Sequence, residues 1–164
     1  MTPTRQPPKI APFLWYTHEA EEAAAFYVSL FRDSRIDRVT ALPADSPSGP
    51  AGSVKVVEFT LFGQPFQAMS AGRHDPFNHA ISFVVLCDDQ AELDRYWDAL
   101  RVGGAADACG WLRDRYGVSW QITPRCLAEL MNDPDRDKAR RTAEAMMTMV
   151  KLDIAALQAA HAGR

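Results

Sequence analysis

The chain spells one order of elements twice, and that repeat restricts its fold more than any composition figure. Ile10 to Tyr16 is a short apolar run that reads as a strand, with Pro12 marking an edge or an irregular start. Thr17 to Phe31 reads as a helix. Thr17 suits an N-cap, acids crowd the first turn, and Ala23, Phe26, Tyr27, Leu30 and Phe31 recur at helical spacing. Ser34–Leu42 and Val54–Phe62 read as strands, joined by a Pro-, Gly- and Ser-rich stretch over 43–52 that is a candidate mobile flap. A turn at Gly63-Gln64-Pro65 leads into a last strand, Phe66–Met69.

After the Gly72–Pro76 loop the order starts again. His79–Cys87 is a strand. A helix follows over Asp88–Arg101, capped by Asp88 or Asp89, with Leu93, Tyr96, Trp97 and Leu100 on one face and Gly103-Gly104 at its end. Ala106–Trp111 and Leu112-Arg113 fit strands, Asp114–Gly117 a turn with surface charges, and Val118–Thr123 a final strand stopped by Pro124. Asp133-Pro134 then caps a long helix carrying Ala143, Met146, Met147, Val150, Ile154 and Leu157. The expected fold class is α+β: two paired βαβββ modules plus a long C-terminal helix. Residues 1–9 form a disordered N-terminus, 10–72 the first module, 73–124 the second and 125–164 the helical extension. Neither half buries both faces of its sheet alone, so the halves are expected to pack within one chain or across two.

A chain of 164 residues is long enough for a core without a disulfide or metal staple. Its net charge of -3 argues against nucleic acid or an anionic membrane surface as partner. The spacing of Cys87, Cys109 and Cys126 fits neither a zinc site nor a disulfide framework, which points to a reducing, cytoplasmic setting. The first residues lack the apolar core of a secretory signal, and no run reaches the ~20 apolar residues of a membrane span.

Specific strings carry a family resemblance: EEAAAFYVSLF, VKVVEFTLFGQPFQAM, HAISFVV, LDRYWDAL, CGWLRDRYGVSWQITP and MVKLDIAALQAAH. Together they span about residues 9–161 and resemble the PhnB-like branch of the vicinal-oxygen-chelate superfamily. That superfamily holds glyoxalases, bleomycin-resistance proteins and dioxygenases. Members of the branch often carry the label 3-demethylubiquinone-9 3-methyltransferase. Methyltransferases mostly bind S-adenosylmethionine through a Gly-rich turn after the first strand. Here Thr-His-Glu-Ala follows that strand, so methyl transfer is not expected.

The resemblance implies ligand positions on the first and last strand of each module. These fall on His79 and Gln121 in the second module, and on Gln67 and a place near Pro12 in the first. Pro12 cannot ligate, and two neutral amides leave a divalent ion without a compensating carboxylate unless Glu58 turns inward. No metal or other cofactor is therefore expected, although His79, Gln121, Gln67 and Glu58 are the set that would hold a divalent metal. Two functions stay open. One is a binding protein that takes a small, partly aromatic molecule in the cleft between modules, using Gln67, Cys109, Trp111 and Trp120. The other is a glyoxalase- or dioxygenase-type enzyme with His79, Gln121 and Glu58 as catalytic groups. A homodimer is expected in either case. His74 and Asp75, in the loop between modules, are further candidate ligand anchors, with an exposed loop as the alternative.

Overall fold

A computed structural model describes residues 9–73 and 75–164, so the expected disordered stretch up to residue 8, and His74, lie outside the described residues. The chain divides into two compact units, one ending at Asp75 and the other running from Pro76 to Arg164. The first holds β1 (Phe13–Tyr16), α1 (Ala20–Leu30), β2 (Arg35–Ala41), β3 (Lys55–Leu61) and β4 (Gln64–Ser70). The second holds β5 (Phe83–Cys87), α2 (Gln90–Arg101), β6 (Ala105–Ala106), β7 (Trp111–Arg113) and β8 (Ser119–Pro124). Three helices follow in it: α3 (Cys126–Met131), α4 (Arg136–Met147) and α5 (Ile154–Ala162). Each unit is thus a βαβββ module, and the extension is helical.

The two sheets share one topology, β1-β4-β3-β2 and β5-β8-β7-β6. In each, the first strand runs parallel to the last and the other pairings are antiparallel. One face of each sheet carries the helix. Ala20, Ala23 and Ala24 are fully buried, and their small side chains let α1 lie close to Val57 and Phe59 of β3. Burying two such side chains contributes roughly 1.5–3 kcal/mol each. In the second module Leu93, Tyr96, Trp97 and Leu100 of α2 are buried together with Trp120 and Ile122 of β8, as the helical spacing predicts. Asp89 caps α2 by accepting the Glu92 N–H at 2.8 Å. Strand β2 is exposed along its length, and its register against β3 shifts between Ile36 and Arg38, a β-bulge.

Three local expectations, on Thr17, His79 and the C-terminal helix, differ in the structure. Thr17 does not cap α1, which starts at Ala20 with Glu19 as N-cap. The strand pairing instead runs on past Tyr16, and the Thr17 carbonyl accepts the Gly72 N–H at 3.0 Å. β5 starts at Phe83 rather than at His79, because the Asn78 side chain accepts the Ala80 N–H at 2.8 Å and holds a turn there. The stretch over 43–52 is laced by its own bonds. Leu42 N–H donates to Val54 O, Gly52 N–H to Leu42 O, and Ser46 and Gly49 exchange two backbone bonds. The single long C-terminal helix is divided: Thr148–Asp153 breaks it, with Asp153 recapping α5 through the Ala156 N–H.

Asp114 also departs from expectation, since it is buried rather than a surface charge. Its Oδ1 accepts the backbone N–H groups of Tyr116 and Val118 at 2.9 and 3.0 Å, and its Oδ2 accepts the Trp120 Nε1–H at 2.8 Å. One carboxylate therefore closes the β7–β8 turn and fixes one of the two buried tryptophans of the module core. Asn at this position would turn an amide N–H toward the indole N–H. Asp114→Asn is expected to cost about 1–3 kcal/mol in urea unfolding, the range for leaving a buried donor unsatisfied.

Candidate functional site

Strand alternation assigns the side chains opposite the helix to an uncovered face in each module. In the first module the register lines up a row across all four strands: Phe13, Gln67, Glu58 and Arg38. The next row on the same face is Trp15, Met69, Val56 and Thr40. In the second module the corresponding row is Val84, Gln121 and Trp111, and Leu86 pairs with Thr123 in the next. The two glutamines hold equivalent places, each three residues before its strand ends and each opposite a first-strand apolar residue.

On these faces the first-strand side chains are apolar and exposed. Phe13 and Trp15 are 44% and 47% exposed, and Val84 and Leu86 are 53% and 46%. Charge on the first face is internally balanced. The Arg38 guanidinium grips Glu58 through Nη2–Oε1 at 2.6 Å and Nε–Oε2 at 3.2 Å, which holds the Arg38 pKa above its ordinary value. Both carboxylate oxygens are thereby occupied. Gln67 has no side-chain hydrogen-bond partner among the described residues, whereas the Gln121 amide donates to Ser82 Oγ at 2.9 Å and keeps its carbonyl oxygen.

The sequence-derived candidates sort accordingly. Glu58 and Gln67 are brought side by side, and so are Gln121 and Trp111. His79 lies in an exposed turn and not on β5. Trp120 belongs to the helix-covered core, held by Asp114. Cys109 shares no strand with Trp111; it sits in a turn with φ of +60°. Residue reading alone missed Arg38, whose pairing with Glu58 depends on register across β2 and β3. Phe13 was legible as the alternate of Leu14 and Tyr16, which are buried.

Two βαβββ modules with these topologies are those of the vicinal-oxygen-chelate fold. The family described as 3-demethylubiquinone-9 3-methyltransferase matches residues 8–123, and the chain belongs to that family, in its PhnB-like branch. The match stops short of α3–α5, a narrower span than the strings had implied. A PhnB protein from Bacillus cereus is 33% identical, with a TM-score of 0.63 over 71% of this chain and 99% of its own. A Pseudomonas aeruginosa protein is 21% identical, with a TM-score of 0.55 over 71% of this chain and 97% of its own. No curated protein sequence matches.

S-adenosylmethionine sites of the usual kind need a glycine-rich turn between a first strand and its helix in a parallel sheet. Here Thr17-His18-Glu19 fills that turn, and the sheet is mixed. The residues do not fit that mode of cofactor binding. A divalent metal fits no better within either module. Among the described residues no three His, Cys, Asp or Glu side chains cluster, the Glu58 carboxylate is taken by Arg38, and His79 stands off its strand.

The thiols differ by environment. Burial pushes the Cys87 thiol up to about 12, with Glu92, Asp88 and Asp89 adding to the effect. At mildly alkaline pH roughly one part in ten thousand of it is thiolate, and thiolate is the reactive form. Native protein treated with a disulfide reagent should therefore leave Cys87 unmodified until denaturant is added, as read by peptide mass spectrometry. Arg38→Ala breaks an exposed, solvent-screened pair and should leave the urea-unfolding midpoint nearly unchanged.

Proposed function

We propose that the protein binds a small, neutral, partly aromatic organic molecule on the helix-free sheet faces, without a metal. The supporting observation is the pair of equivalent glutamines set among apolar side chains: Gln67 beside exposed Phe13, with exposed Trp15 in the next row, and Gln121 between exposed Val84 and half-buried Trp111. Such sites join an apolar wall to a few placed polar groups. A neutral amide orients a ligand by hydrogen bonding without demanding a charge. The Arg38–Glu58 pair leaves the first face no net charge to attract an ion. We extend the proposal to a homodimer in the cytoplasm, a compartment that suits the three free cysteines.

Nile red, a neutral planar dye, is a direct probe. Its emission should rise on titration with the protein. Trp15→Ala and Trp111→Ala should each weaken binding about three- to tenfold, matching an aromatic contact of about 0.5–1.5 kcal/mol. A dye that binds all variants equally, or none including the parent, would overturn the reading. Sedimentation across micromolar dilution tests the dimer, and a monomer throughout would remove it.

A second reading keeps a glyoxalase- or dioxygenase-type metalloenzyme, favoured by Glu58 lying directly opposite Gln67 on one face. Plasma mass spectrometry of tag-free protein soaked in Fe(II), Zn, Mn, Ni or Mg distinguishes the two. We expect far less than one metal per chain. Near-stoichiometric metal that is lost on Glu58→Ala or His79→Ala would establish the second reading instead.

A further inference from the structure

We propose that the C-terminal segment Met149–Leu152 is a brace that sets Trp111 on the helix-free face of the second module. It does so by clamping the turn Cys109–Gly110. The functional meaning of the brace rests on the binding reading above; its existence rests on the hydrogen bonds and contacts described next.

The chain passes from β6 to β7 through two successive left-handed residues, Cys109 at φ +60° and Gly110 at φ +81°. A residue with a side chain enters that region at a cost in strain, and stays there where its surroundings over-determine it. The tail supplies that determination. Cys109 N–H donates to Met149 O and Gly110 N–H to Val150 O, each at 2.8 Å. From the other side the Gly110 carbonyl accepts the Ile122 N–H at 2.8 Å, next to Gln121 in sequence. A Cβ on residue 110 would meet Ile122 O at 2.9 Å and Leu152 at 3.0 Å, so glycine is what lets the tail lie this close.

Trp111 follows at once. Its N–H donates to Ala108 O at 3.1 Å and its carbonyl accepts the Asp107 N–H at 2.8 Å, so the turn fixes its backbone. The tail is in turn anchored on α2. The Gln90 amide donates to Leu152 O at 3.1 Å and accepts the Ile154 N–H at 2.9 Å. Lys151 Nζ pairs with Asp94 at 2.9 Å, and Leu152 is fully buried. A chain of contacts thus runs from α2 through the tail to the strained turn and on to Trp111. The family match ends at residue 123, so the brace belongs to the part of the chain that the match leaves out. Gln90 and Leu152 are positioning residues: they act on Trp111 through Cys109 and Gly110.

The test uses full-length protein with Gln90→Ala or Leu152→Ala, labelled with fluorotryptophan and followed by fluorine NMR and amide exchange. Replacing each tryptophan by Phe assigns the four resonances. We expect the Cys109 and Gly110 amides to exchange about tenfold faster, while amides in the C-terminal half of α2 hold. The Trp111 resonance should shift or broaden, and that of Trp120 should not. Nile red binding should weaken about threefold or more, and this loss should vanish in a Trp111→Ala background, where the brace has nothing to set. Unchanged exchange at Cys109 and Gly110, or a Trp111 resonance that stays put, overturns the brace. So does a uniform change in all four resonances, which would make the tail an ordinary part of the core. If Leu152→Ala fails to fold, Gln90→Ala carries the test, since it leaves no large cavity. If the parent binds no Nile red, the binding reading falls, and exchange and fluorine spectra alone decide the brace.

Discussion

Each βαβββ module sets one helix against a sheet with two faces, and the placement of Gln67, Glu58 and Gln121 follows from that. Ala20, Ala23 and Ala24 bring α1 down onto Val57 and Phe59, and the pleat then sends Glu58 the other way. Gln67 is fixed by the same rule between Phe66 and Ala68, both buried. In the second module Trp120 and Ile122 go under α2, which leaves Gln121 between them on the uncovered side. Register does the rest. It turns four residues scattered over 54 positions of sequence into one row, Phe13 to Gln67 at the ends of the count and Arg38 and Glu58 between them.

What could be read from residues alone is what depends on local period. The four buried positions of α2 are spaced for one helical face, and they are the four found there. The repeat of element order was legible for the same reason. What could not be read depends on partners far along the chain. Thr17 has the chemistry of a cap, but its carbonyl is claimed by Gly72, fifty-five residues on. Met146 to Leu157 has a continuous helical stripe, yet the carbonyls of Met149 and Val150 turn out to meet Cys109 and Gly110. Asp114 looked like a turn residue and is one, but nothing in its neighbours announced that the same carboxylate would hold Trp120. Alternation left the face of Glu58 open as well, because only the burial of Val57 and Phe59 decides it.

The family name and the chain's own chemistry are separate matters. Membership follows from the match over residues 8–123. Chemistry is decided by side chains, and a fold hosts many chemistries on one scaffold. In this chain the uncovered faces offer amides, indoles and aliphatic groups, with the one carboxylate of the first row already held by a guanidinium.

The bulge in β2 bears on how the chain behaves in a crowded solution. An edge strand with seven exposed residues and free backbone groups is a template on which a second chain could lay its own strand. The slip between Ile36 and Arg38 puts the side chains on either side of it out of simple alternation, so an incoming straight strand would find its hydrogen-bond rhythm broken midway. Arg35 and Asp37, joined at 2.7 Å, and Arg38 crowd the same stretch with charges that an incoming strand would have to desolvate. The irregularity that looks like a flaw in the sheet thus works, with the charges beside it, against edge-to-edge pairing.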